Sequence, residues 1–266
     1  MKWNLYGLKK KFLRQIDRNF KYRNLFKPII GYPDNKFVIY TRGRTGSNVL
    51  TELLNCHPDI FCDVEIFNFI YSNSIIRFPH IYINSCSKRA ILNRKPVYGF
   101  KVKIAQLRYE HEYKDYEKIL QRLSNYGWKF LHLKRRNFLR HNLSNLVMAE
   151  TNISHIQNSD NFKPKKILVD CSTLMEEMLS SEEVEKTEEK NLQGISNIKI
   201  YYENDLLDNT KHQETADRIF EYLNLKTHKV KTNLKRMSPE NLEEIISNYD
   251  EIYNFLMDTK YSEFLK

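Results

Sequence analysis

Short apolar runs alternate with stretches of helical periodicity along most of this chain. Phe37-Val38-Ile39-Tyr40 is a compact run of β-branched and aromatic residues behind the loop formers Gly31, Pro33, Asp34 and Asn35, and reads as a buried strand. Val49, Leu50, Leu53 and Leu54 then recur at the spacing of one helix face, and Pro58 ends that helix. Further strands are expected at Tyr98–Val102, Trp128–Leu133, Ile167–Val169 and Ile198–Tyr202, with helices at Tyr116–Leu123, Phe138–Glu150 and Thr173–Glu189. Ser238-Pro239-Glu240 combines a capping serine, a first-turn proline and an early acid, and predicts a last helix to about Leu256. Strands alternating with helices imply an α/β fold of three layers, a central and mostly parallel sheet covered on both faces.

The 266 residues, 41% hydrophobic and 29% charged, describe a globular chain that divides into a basic arm over 1–34 and a main domain over 35–266. The arm sets Trp3, Leu5, Leu8, Phe12, Leu13 and Ile16 among Lys and Arg. Two readings stay open for it: an amphipathic helix in contact with a membrane surface, or a basic helix packed on the domain. No apolar run approaches the ~20 residues that span a bilayer, and the expected location is cytoplasmic, with peripheral membrane contact through the arm. Cys56, Cys62, Cys86 and Cys171 form no CxxC pair and no metal spacing with histidine, so reduced thiols and no bound metal are expected. The formal charge of +10 is spread along the chain, which favours steering of a small anion over nucleic-acid binding. The acid- and lysine-rich run Glu176–Lys190 reads as a solvated helix face.

Between the first strand and the first helix lies Thr41-Arg42-Gly43-Arg44-Thr45-Gly46-Ser47-Asn48. Its glycines allow a tight turn and close approach to a ligand. The helix start offers amide hydrogens and a positive dipole end to an anion. Thr45, Ser47 and Asn48 add hydroxyl and amide donors, and Arg44 adds a fixed charge. An NTPase loop requires G-x-x-x-x-G-K-[ST], but Gly46 is followed by Ser47; G-x-G-x-x-G is absent from the chain. A second constellation follows the strand at 128–133: Arg136 at its end and Ser144 eight residues on, two helical turns later, placed to converge on one anion.

A cation-x-G-[ST] loop after the first strand, followed by Leu53-Leu54-Asn55-Cys56-His57-Pro58 and Glu65-Ile66-Phe67-Asn68, resembles the sulfotransferases that use 3′-phosphoadenosine 5′-phosphosulfate (PAPS), and most nearly their bacterial carbohydrate and lipopolysaccharide branch. The resemblance implies a P-loop-like fold, Arg44 to Asn48 at the 5′-phosphosulfate, and Arg136 with Ser144 at the 3′-phosphate. It also implies a basic loop over that phosphate, for which Lys235 and Arg236 are the candidates. The implied reaction is direct sulfuryl transfer, with PAP as product, to a carbohydrate or glycolipid hydroxyl.

Many members of the family supply the base as a histidine after a central strand, but Gly99–Gln106 holds none. Glu65 is the expected base, with burial beside Ile66 and Phe67 raising its basicity. Its other reading is a carboxylate that orders the loop or binds a sugar hydroxyl. Arg44 is expected to stabilise charge on the leaving nucleotide. The aromatic and polar segment 69–94 suits an acceptor cover. Lys134 is expected in solvent, His57 as a turn cap and Glu203 as structural. The rival functions are a divergent kinase or NTPase and a non-enzymatic basic anion-binding module.

Overall fold

The computed structural model describes residues 31–68, 75–151, 156–157, 166–235, 239 and 241–265; the side chain of Lys235 is not among what is described. The main sheet contains β1 (Asn35–Thr41), β2 (Ile60–Glu65), β3 (Val97–Val102) and β4 (Lys129–Lys134). A short antiparallel ribbon joins β5 (Ile156–Gln157) to a later strand, and β6 (Asn197–Tyr201) completes the sheet. The order is β2-β3-β1-β4-β6 and every pairing is parallel. The helices are α1 (Ser47–Asn55), α2 (Pro79–Leu92), α3 (Tyr116–Asn125), α4 (Phe138–Thr151), α5 (Cys171–Asn191), α6 (His212–Tyr222) and α7 (Tyr249–Met257).

Alternation along β1 builds both outer layers at once. Val38 and Tyr40 face one side with Tyr98, Phe100 and Phe130, and receive Tyr82 and Ile83 of α2 and Ile119, Leu120 and Leu123 of α3. Phe37 and Ile39 face the other with Leu131, Leu133 and Ile200, and receive Leu50, Leu53 and Leu54 of α1 and Ile219 and Phe220 of α6. Each such side chain contributes about 1.5–3 kcal/mol on full burial. Phe37 stands opposite Gly99 in the ladder, and a Cβ at Gly99 would come within 2.0 Å of its ring, so the glycine lets the aromatic lie across the strand. A third cluster packs α4 and the start of α5 against α7. The sequence's three-layer parallel α/β architecture is thus the observed one, and the turns after β1, β3 and β4 share the carboxyl edge where open α/β sheets bind ligands.

Two expectations give way to hydrogen bonds between segments far apart in sequence. No strand forms over 167–169: Ile167 makes one parallel bridge with Ile246, and the backbone at Val169 is satisfied by the side-chain amide of Asn248. That same engagement breaks the predicted last helix. Residues 242–244 form a single 3-10 turn, Ile245 and Ile246 are drawn into the bridge, and α7 starts only at Tyr249; Ser238 and Glu240 lie outside the described residues. The presumed acceptor cover over 69–94 is largely α2, where Tyr82 is buried and its hydroxyl donates to the Ile66 carbonyl at 3.0 Å; residues 69–74 lie outside the described residues.

Candidate active site

The turn between β1 and α1 has its carbonyls tied to protein groups. Thr45 Oγ1 donates to Arg42 O at 3.1 Å, His141 Nε2 donates to Gly43 O at 2.8 Å, and Arg135 Nη1 donates to Arg44 O at 2.9 Å. In a trans peptide the next amide hydrogen points opposite to the carbonyl, so the N–H groups of Gly43, Arg44 and Thr45 turn away from these partners. Arg44 (φ +59°) and Gly46 (φ +79°) adopt left-handed backbone, the combination that curls successive amides into an anion-binding concavity. Gly46 is doubly required, because a Cβ there would meet the Tyr202 ring at 2.7 Å. Helix α1 then begins at Ser47 with no side-chain cap and no acid in its first turn. Its first amides keep their affinity for an external anion.

Side chains of the turn divide between structure and surface. Thr45 is fully buried and its hydroxyl is used within the turn, so it has only its backbone to offer a ligand. Arg42 points inward, where it donates to the carbonyls of Ser181 and Arg135 at 2.7 and 3.0 Å. Arg44 reaches α4, and its Nε donates to Ser144 Oγ at 3.0 Å. Ser144 therefore joins the first constellation. Arg136 is exposed and turned elsewhere, donating to Asn204 Oδ1 at 2.7 Å and stacking 4.5 Å from the Tyr201 ring centre. Its neighbour Arg135 is buried against the turn, 4.6 Å from the Tyr202 ring centre. His141, beneath the turn, is pushed down to about 3 by burial and by the charges of Arg42, Arg135 and Arg44.

Glu65 closes β2 beyond a bulge. The register slips between Asp63 and Glu65, Val64 turns out to solvent, and Glu65 is set opposite Lys101 of β3. A bulge at a strand end re-aims a side chain in this way. The Glu65 carboxylate lies 3.2 Å from Lys101 Nζ and 2.9 Å from Lys103 Nζ, and accepts from Gln106 Nε2 at 2.8 Å and Asn68 Nδ2 at 3.3 Å. Lys101, 2% exposed, also donates to Ser47 Oγ at 3.2 Å and to Asn48 Oδ1. The expected rise in Glu65 basicity is corrected here. Burial does push its carboxyl up, but the two ammonium groups outweigh burial and hold it below the ordinary glutamate value.

Lys134 is likewise not in solvent; it is buried and 2.6 Å from both Glu185 and Glu189 of α5. Glu188 corrects the reading of that helix as a solvated face, since it is fully buried 3.8 Å from both Arg42 Nε and His132 Nε2. His57 does order its turn, accepting from Asp59 N, and Glu203 fixes the turn into α4 by accepting from the amides of Arg136 and Asn137. Lys235 takes part in the short ribbon through its backbone as β7 (Leu234–Lys235), and Arg236 lies outside the described residues.

Sequence reasoning assigned no role to Lys101, Arg135 or Gln106, and read His141 as structural, which its bond to Gly43 O bears out. A signal existed for Lys101, since a lysine in a strand buried on both faces must be paired. For Arg135 there was none, because two adjacent arginines at a strand end do not reveal which one turns inward. A separate cleft of about 870 Å³ lies between α3 and the end of α5, lined by Arg108, Glu112, Tyr116, Lys118 and Lys190, and includes none of the turn residues.

Fold and site together define a parallel α/β protein whose first βα turn is arranged for an anion and borders a lysine-clamped carboxylate. No protein-family model matches the chain, and no curated protein matches it. Matches among solved structures include a sulfotransferase from Alicyclobacillus acidocaldarius, at 14% identity and a TM-score of 0.49, over 84% of this chain and 94% of that one. Among the described residues no helix is long and apolar enough to cross a membrane.

Proposed function

We propose that this chain is a sulfotransferase that moves a sulfuryl group from PAPS to a hydroxyl of a carbohydrate or glycolipid. The observation that carries the reading is that one buried ammonium, Lys101 Nζ, lies 3.2 Å from Ser47 at the head of the anion-binding turn and 3.2 Å from Glu65. An anion seated on the turn is thereby separated from a carboxylate by one shared ammonium.

In the proposed reaction the bond between sulfur and the donor's phosphate oxygen breaks as a bond between sulfur and the acceptor's hydroxyl oxygen forms. The hydroxyl proton passes to Glu65 and the nucleotide leaves as PAP. Arg44, Ser47, Asn48 and the turn's amides hold the 5′-phosphosulfate, and Arg44 offsets charge on the leaving oxygen. Ser144 serves the same end of the donor through Arg44, while Arg136, Lys235 and Arg236 remain the candidates for the 3′-phosphate. The reading carries a cytoplasmic location and contact of the basic arm with an anionic membrane surface.

Calorimetric titration with PAP and with ATP, with and without Mg²⁺ and at two salt concentrations, tests it. The expected result is saturable binding of PAP, tighter than ATP and independent of Mg²⁺. ATP binding that needs Mg²⁺ would instead identify a kinase or NTPase. Weak binding of every anion, falling steeply with salt, would identify a basic module without catalysis.

A further inference from the structure

Glu65 is poorly suited to accept a proton in the arrangement just described. Both carboxylate oxygens are engaged: Oε1 with Lys101, and Oε2 with Lys103, Gln106 and Asn68. A base in that state keeps its negative charge but has little remaining affinity for a proton. Lys101 also joins both halves of the site by hydrogen bonds, since its other two partners, Ser47 Oγ and Asn48 Oδ1, are the side chains that α1 presents at the turn.

We propose that Lys101 is a positioning residue that couples donor binding to the base: its ammonium is shared between Glu65 and the turn, and shifts toward the donor's anionic oxygens as they seat on Ser47 and Asn48, freeing Glu65 to take the acceptor's proton. The inference rests on the sulfotransferase reading. An ammonium has three donors, and in this structure they are divided among a carboxylate, a hydroxyl and an amide oxygen. A phosphosulfate at the turn adds negative charge beside that ammonium, competes with the carboxylate for it, and repels the carboxylate directly. Both effects increase the proton affinity of Glu65 at the moment the donor is in place. The acceptor's proton then has a destination only when there is a sulfuryl group to transfer.

The surroundings leave these groups in control of Glu65. From β3 come Lys101 and, just past its end, Lys103; the turn of helix at 106–110 supplies neutral Gln106, and Asn68 comes from Glu65's own loop. Asp63, across the bulge, is held by Arg89 of α2 at 2.6 Å and by the Tyr98 hydroxyl at 2.9 Å. The Cys62 thiol beside it is pushed up by burial and stays neutral.

The test is a ¹³C NMR titration of the full chain with labelled glutamate carboxyls, with Glu65→Gln identifying the Glu65 signal. It is run free and saturated with PAP, whose occupancy is read separately by calorimetry. In the free protein Glu65 is expected to titrate below the ordinary glutamate value, and PAP is expected to raise its midpoint by about one unit. Lys101→Met is expected to raise the midpoint without PAP and to remove most of the PAP response, and Lys101→Arg to restore part of both. Saturation by PAP with the Glu65 midpoint unmoved overturns the coupling and leaves the sulfotransferase reading standing. Failure of PAP to bind at all overturns both. Should Lys101→Met not fold, the wild-type titration with and without PAP still decides.

Discussion

Arg44 Nε donates to Ser144 Oγ at 3.0 Å, tying the turn after β1 to the second turn of α4 across a hundred residues of sequence. The bond aims a guanidinium that would otherwise sample many rotamers from a left-handed backbone position. Arg44→Ala is expected to weaken PAP binding by about 10- to 100-fold, the loss of a charge-assisted contact, and Ser144→Ala by about 3- to 10-fold. The double variant should fall short of the product of the two, because Ser144 acts partly through Arg44. Calorimetry on the four proteins checks this; strictly multiplicative effects would mean that Ser144 meets the ligand independently.

Ser144 also shows where sequence reading reached and where it stopped. The spacing of Arg136 and Ser144 placed a cation and a hydroxyl on consecutive elements, and both are where the strand and helix predictions put them. What spacing does not encode is the direction of a side chain as it leaves a strand. Arg135, one residue earlier, takes the inward course to the turn, and Arg136 lies outside on Tyr201. The sheet was legible because β1 carries the continuous apolar run of a strand buried on both faces. The bridge between Ile167 and Ile246 was not, since it joins backbone groups of two segments far apart in sequence, Ile167 N to Ile245 O and Ser247 N to Ile167 O. Glu65 was legible as a candidate from its position, but its electrostatics depended on Lys101 and Lys103, which only folding brings beside it.

Glu65→Gln removes the charge and keeps the shape. Under the proposed reaction kcat is expected to fall by about 10²–10⁴, the usual worth of a positioned base, while PAP binds up to about tenfold tighter, the reciprocal of a one-unit rise in the Glu65 midpoint. Steady-state assays with labelled donor, paired with calorimetry, separate the two quantities. Undiminished turnover would remove Glu65 from the chemistry.

Gly46→Ala tests why the turn needs glycine. Two costs are superposed there: a left-handed backbone, and a Cβ 2.7 Å from the Tyr202 ring. Gly127 has nearly the same backbone (φ +76°) with nothing within 4 Å of an added Cβ, so Gly127→Ala carries the backbone cost alone, about 1 kcal/mol. Gly46→Ala is expected to cost about 1–3 kcal/mol more than that in denaturant unfolding, as Tyr202 is displaced. PAP binding should be lost with it. Equal costs at the two glycines would show that Tyr202 yields freely.

His141 gives the fold a predictable response to acid. Its Nε2–H is donated to Gly43 O, while Nδ1 is buried without a partner, and Arg42, Arg44 and Arg135 stand nearby. Protonation would place a second donor and a positive charge among three guanidinium groups. The ring therefore titrates at about 3 in the folded chain, against about 6.5 when unfolded. Between those values the unfolded chain binds the extra proton, so stability falls as pH drops; the contribution is intact above 6.5 and is progressively lost toward 3. From pH 7 to pH 5 this amounts to about 2 kcal/mol. His141→Gln keeps a donor for the Gly43 carbonyl and removes the titration. It should be no more stable than the wild type at pH 7 but should lose about 2 kcal/mol less between pH 7 and pH 5. Urea unfolding of both proteins across that range reads the difference directly. Parallel pH dependences would show that His141 accepts its proton without cost, and that the turn is held by groups other than a neutral imidazole.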